Sequence, residues 1–132
     1  ACSLFVALAE EGWHEGELVE SIVAECLKPL LESDYQTNMD TLVLGCTHFP
    51  VLKESISNIV GDNVELVDSA ETTAKVVKCY LAEKNLLNEQ NGGRVSFLVT
   101  DDPVRFSRVA RNFYQGDIQQ GEIQQVDIQH YR

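Results

Sequence analysis

The stretch Thr41-Leu42-Val43-Leu44-Gly45-Cys46-Thr47-His48-Phe49-Pro50 constrains the chain more than any other. Leu42, Val43 and Leu44 form an uninterrupted apolar run, the habit of a strand covered on both faces. Gly45 lets the backbone turn without steric penalty, and Pro50 suits the first turn of a helix whose apolar face is Leu52, Ile56 and Ile59. The expected local structure is a strand, a tight turn and a helix start, with a thiol, a hydroxyl and an imidazole gathered in the turn. In open α/β sheets ligands bind at the carboxyl ends of the strands, and helix N-termini offer free N–H groups to carboxylates.

A cysteine at a helix start, beside an imidazolium, is a usable proton carrier or nucleophile, which makes Cys46 the chief candidate for chemistry. Cys46 and His48 are neighbours but one, so they share a face only if the turn itself brings them together. The competing reading makes Cys46 a small buried hydrophobe and His48 a residue satisfied by backbone.

The rest of the chain alternates strands with helices. Leu4 to Leu8 is a short apolar run that fits a strand, followed by a polar turn from Glu10 to Gly16. In that turn Glu11, His14 and Glu15 read as surface and Trp13 as a cover over the loop. From Glu17 a helix is expected, with Leu18, Ile22 and Cys26 on one face, Val19, Val23 and Leu27 beside it, and Pro29 kinking or ending it. Ser33 to Met39 reads as a loop into the central strand. Gly61-Asp62-Asn63 stops the next helix, Val64 to Val67 is a strand, and Asp68 or Ser69 caps a helix lined by Ala70, Ala74, Val77 and Leu81. Asn88 to Gly93 is a polar linker. Arg94 to Thr100 alternates as a strand buried on at least one face. Asp102-Pro103 then caps a helix with the stripe Phe106, Val109, Ala110 and Phe113. Arg105, Arg108 and Arg111 read as a solvated, ion-paired face of that helix. Ile123, Val126 and Ile128 suggest an edge strand, and His130 to Arg132 a frayed end. Together these elements predict an α/β fold with a mainly parallel sheet.

Composition narrows the function classes. A formal net charge of −11 argues against nucleic acid as a partner, because phosphate contacts need clustered Lys and Arg. The apolar runs are short and broken by charge, so no membrane segment is expected. Cys2, Cys26, Cys46 and Cys79 make no Cys-x-x-Cys pair and have no matching His spacing, so no metal site is expected; the even count permits two disulfides, but the chain is otherwise unlike a small secreted scaffold. Cys26 and Cys79 read as packing residues, and a reduced, cytoplasmic state is the expectation.

Two stretches carry a resemblance to a known family. Gly45-Cys46-Thr47-His48-Phe49-Pro50-Val51-Leu52 resembles the second cysteine motif of the glutamate racemases, usually Gly-Cys-Thr-His-Tyr-Pro-Leu-Leu. Ala1-Cys2-Ser3-Leu4-Phe5-Val6-Ala7-Leu8 resembles their Ala-Cys-Pro-Leu-Phe-Val-Pro-Leu stretch, and the two stand in the family's order and separation. The resemblance implies a cofactor-independent racemase in which two cysteines flank the substrate's α-carbon, one removing the proton and the other returning it on the opposite face. By the same resemblance Cys46 is the second of those thiols, Thr47 holds the substrate, His48 tunes Cys46 and shuttles its proton, and Glu10 partners the imidazole. Aspartate racemases more often carry an acidic residue after the Cys-Thr pair, so His48 favours glutamate as the small-molecule substrate.

The departures are Phe49 for Tyr, Val51 for Leu, and Ser3 and Ala7 for prolines, which leave the approach to Glu10 less rigid. The family's Asp-Ser-Gly segment and the Ala-Cys-Asn-Thr turn with the first thiol are absent from the sequence. The resemblance therefore implies the C-terminal portion of a racemase, inactive alone, that makes D-glutamate for peptidoglycan. It assigns 1–67 to the second of two facing α/β domains and 68–132 to a segment returning to the first. Apolar surface meant for the other half would then drive homo-oligomer formation. Two alternatives stand beside this reading: a non-catalytic α/β module whose Cys-Thr-His turn only binds a carboxylate or partner, and a racemase of another amino acid.

Overall fold

The computed structural model describes residues 2–32, 39–88, 93–114 and 116–128. The chain divides into two compact units, Ala1–Leu87 and Asn88–Arg132. In the first unit the order is α1 (Ser3–Glu10), α2 (Glu17–Leu31), β1 (Thr41–Leu44), a 3-10 turn (Phe49–Leu52), α3 (Lys53–Val60), β2 (Glu65–Asp68) and α4 (Ser69–Glu83). The second unit holds β3 (Phe97–Val99), α5 (Pro103–Ala110), a 3-10 turn (Gln120–Glu122) and β4 (Ile123–Gln125). β1 pairs with β2 in parallel, Thr41 opposite Glu65 through Leu44 opposite Asp68, and β3 pairs with β4 in parallel, Phe97 opposite Ile123. The fold is α/β with parallel sheets, as the alternation predicts.

The Leu4 to Leu8 run is helical, against the expectation of a strand. A continuous apolar run carries no period of its own, and the buried residues Phe5, Leu8 and Ala9 stand at i, i+3 and i+4. In α2 the buried line is Val19, Val23 and Leu27, while Leu18 lies exposed. Pro29 falls in the last turn of α2 and the helix runs two residues past it, ending at Leu31. With Leu44, Leu52 and Ile56 these side chains form one core, against which Phe49 sets its ring 5.2 Å from that of Phe5 and nearly perpendicular. Burying each such side chain contributes about 1.5–3 kcal/mol.

β1 is covered on one face only, which corrects the reading of a strand buried on both. Leu44 is buried, whereas Val43 is 61% exposed, because among the described residues no element covers the other face of the two-stranded sheet. α4 repeats the pattern: of its expected buried line, Ala70, Ala74 and Val77 are exposed and Leu81 half-buried, and none of its 15 residues is buried. Cys79 is likewise exposed rather than packed. Asp68 caps this helix, accepting from the backbone N–H groups of Ala70 (2.8 Å) and Glu71 (3.1 Å).

In the second unit Val99 and Ile118 are buried, and the Phe97 ring stands 5.5 Å from both Phe106 and Tyr114. β3 is confined to Phe97–Val99, and β4 to Ile123–Gln125, both shorter than expected. Asp102 caps α5 by accepting from the Arg105 N–H at 2.9 Å. Arg108 and Arg111 are exposed and line an open cavity of about 520 Å³ with Pro103 and Ile123, without the expected ion pairs among the described residues. Most of the 33–39 loop, residues 89–92 of the linker and 129–132 of the tail lie outside the described residues. Among the described residues, no helix is long and apolar enough to cross a membrane.

Candidate active site

The carboxyl ends of β1 and β2 lie side by side, since Leu44 and Asp68 are partners in the ladder. The turn Gly45–His48 leaves one end and α4 starts at the other. The turn is closed by two backbone bonds, Gly45 N–H to Val43 O at 3.0 Å and Phe49 N–H to Cys46 O at 3.2 Å. Regular structure resumes only at Phe49, so Cys46 precedes the 3-10 turn rather than sitting at the start of an α-helix. Gly45 does not adopt a positive φ, and a Cβ built there meets nothing within 4 Å. Among the described residues, what its missing side chain provides is open space before the thiol, not a strained backbone.

The turn brings together what the spacing left open. Cys46 Sγ lies 3.9 Å from His48 Nδ1, and Thr47 Oγ1 lies 3.3 Å from the same nitrogen. On the other edge of the ring, His48 Nε2 stands 3.4 Å from Glu10 Oε1. All four candidates are thus within one constellation, with Cys46 and His48 half-buried and Thr47 exposed. Glu10 arrives because α1 is a helix whose last residue it is, packed against the 3-10 turn through Phe5 and Phe49.

The chemistry follows from the imidazole's two edges. A carboxylate at Nε2 favours the tautomer that carries its proton there, leaving Nδ1 as an acceptor for the thiol proton. The thiol can then deliver its proton to the ring or recover it, the requirement for a sulfur that works as acid and base. Thr47 is exposed, and its hydroxyl meets the same ring nitrogen as the sulfur.

One residue near the site, Ser55, escaped the sequence. Ser55 is buried and donates to the carbonyl of His14 at 2.8 Å, fixing the loop that follows Glu10 to α3. His14 itself is half-buried rather than a free surface residue, with Nε2 buried and unpartnered among the described residues. Trp13, expected as a cover over the loop, is 51% exposed. Ser69 donates its hydroxyl to the Leu44 carbonyl at 3.0 Å, while capping falls to Asp68 alone. Cys26, packed against the core, has its thiol pKa pushed up, first by burial and then by the neighbouring Cys2, whose thiol reaches the Cys26 carbonyl at 3.9 Å.

No protein-family model matches the chain. A glutamate racemase of Neisseria meningitidis is 46% identical over 121 residues, 91% of this chain and 43% of that protein. The crystal structure of glutamate racemase from Francisella tularensis in complex with D-glutamate superposes with a TM-score of 0.78 at 36% identity, covering 96% of this chain and 45% of the other. The Thermus thermophilus glutamate racemase, in complex with β-chloro-D-alanine, gives a TM-score of 0.83 at 33% identity, covering 98% and 47%. The chain spans less than half the length of the relatives it matches. In sequence and in fold it is a homologue of the glutamate racemases, and a C-terminal portion of such a protein is what it fits.

Proposed function

We propose that the chain is the C-terminal portion of a cofactor-independent glutamate racemase, contributing one of two acid/base thiols that interconvert L- and D-glutamate for peptidoglycan synthesis. Cys46 is that thiol. As thiolate it takes the α-proton, leaving a carbanion that a second thiol protonates from the opposite face; in the reverse direction Cys46 gives the proton back. His48 exchanges the proton with Cys46 through Nδ1, Glu10 holds the ring through Nε2, and Thr47 binds the substrate's polar groups. The observation that supports this most is the continuous line from Sγ through the imidazole to the Glu10 carboxylate, with steps of 3.9 and 3.4 Å.

In this reading 1–67 belong to the second domain of the racemase and 68–132 return to the first. The uncovered Val43 face and the uncovered α4 then belong against the other half of the enzyme, and in its absence drive self-association. The first thiol is not in this sequence, so the polypeptide alone does not racemise. Joining it behind the N-terminal half of the Neisseria meningitidis glutamate racemase restores the length that this chain does not span. Circular dichroism of glutamate then reports turnover by the chimera and none by the chain alone; a silent, folded chimera, or turnover by the pure chain, overturns the reading.

A further inference from the structure

We propose that Ser69 is a positioning residue for the Cys46 turn: its hydroxyl, bonded to the Leu44 carbonyl, fixes the peptide that precedes the thiol and so the meeting of Cys46 with His48. The proposal rests on the racemase reading for its catalytic consequence, but its structural part stands on this chain alone.

A serine directly after a strand and at the start of a helix is expected to cap that helix. Here Asp68 makes both capping bonds, so the Ser69 hydroxyl is not needed for α4. It reaches instead across the ends of the two strands, 3.0 Å to the carbonyl of Leu44, a residue 25 positions earlier. That carbonyl belongs to the peptide shared with Gly45, and Cys46 comes next. Leu44 is anchored in the core on one side of this peptide, but Gly45 has no side chain to pack and a Cβ at its position meets nothing within 4 Å, so no side-chain contact holds the end that leads to the thiol. Hydrogen bonds hold it: Gly45 N–H to Val43 O on one side, and Leu44 O to Ser69 on the other. Glycine also has the largest backbone freedom to lose, so the anchor restrains the residue that most needs it.

The contact downstream is demanding. Cys46 Sγ and His48 Nδ1 are 3.9 Å apart, the upper end of the range for a bond through sulfur, and a displacement of about 1 Å can cost about 100-fold in rate. A peptide rotation at Leu44-Gly45 moves the thiol by such amounts while leaving the core residues Leu44, Leu52 and Ile56 where they are.

The test is amide hydrogen exchange on the 132-residue chain, read at Gly45 and Cys46. Ser69→Ala is expected to raise exchange there about 10-fold, and Ser69→Thr, which keeps the hydroxyl, to restore it. Ser69→Val copies the shape of Thr without the hydroxyl and is expected to behave as Ser69→Ala, so the comparison survives if the alanine variant folds poorly. Asp68→Ala removes the cap of α4 and is expected to leave the Gly45 and Cys46 amides unchanged. In the chimera Ser69→Ala is expected to lower kcat about 10- to 100-fold with KM within twofold. Equal exchange in Ser69→Thr and Ser69→Val, or an equal rise in Asp68→Ala, overturns the proposal. An inactive chimera with the hydroxyl-dependent exchange intact overturns the racemase reading and supports the positioning role.

Discussion

Glu10 and His48 meet at 3.4 Å, joining the last residue of α1 to the turn that follows β1. Neither residue is in the same element, and the contact exists because α1 lays Phe5 against Phe49 beside it. If the carboxylate holds the imidazole in its working tautomer, Glu10→Gln in the chimera lowers kcat by about 10²-fold or more while glutamate still binds. Steady-state kinetics in both directions measure this; an unchanged kcat removes Glu10 from the mechanism.

The stability of the first unit should be concentrated in few side chains. Leu52→Ala or Ile56→Ala empties a fully buried position and is expected to cost about 2–5 kcal/mol in urea unfolding. Val43→Ala, on the uncovered face, is expected to stay within about 0.5 kcal/mol.

Ser55→Ala leaves the His14 carbonyl without its buried donor, at a cost of about 1–3 kcal/mol. Because that bond ties down the loop bearing Trp13, the indole emission is expected to shift to the red as the loop opens. A stability loss without any emission change would place the effect in the core alone.

Lys75 lowers the Glu71 carboxyl pKa, first through its hydrogen bond at 2.6 Å and then through its charge, with Lys53 adding to the effect. A depressed carboxyl contributes stability that is present above its unfolded value and lost as pH falls through the folded one, which here lies below the ordinary 4.5. Lys75→Met should bring the NMR titration midpoint of Glu71 upward toward that value and flatten the acid limb of α4 unfolding.

How far this was legible in the sequence depends on what each residue's neighbours are. Glycine, proline and capping residues act locally, so the Asp68 and Asp102 caps, the Gly45–His48 turn and the parallel alternation were readable. The apolar run at Leu4 was not, because an unbroken run lacks a period, and its helix is chosen by the core it meets. Exposed apolar surface was expected from the resemblance, but that Val43 and α4 carry it was unreadable for the opposite reason: their apolar pattern is right for a covered layer that the described residues do not contain. Cys46 and His48 were readable from the turn's residue types, whereas the roles of Thr47 and Glu10 came from the resemblance; Ser69 was read as a cap, and Ser55 gave no signal, since each bonds a backbone carbonyl far away in sequence.

Uncovered apolar surface on Val43, Val76, Val77 and Tyr80 should make the chain associate with itself. Sedimentation velocity is expected to show a weight-average mass that rises with concentration above that of the 14.8 kDa chain. A compact monomer at high concentration would remove this part of the account.

The central claim is that Cys46 moves the α-proton, and replacing that one sulfur tests it most directly. Cys46→Ser in the active chimera is predicted to abolish racemisation, a loss of about 10³-fold or more in kcat, while glutamate binding by calorimetry stays within a few-fold. Turnover that survives the substitution would contradict it.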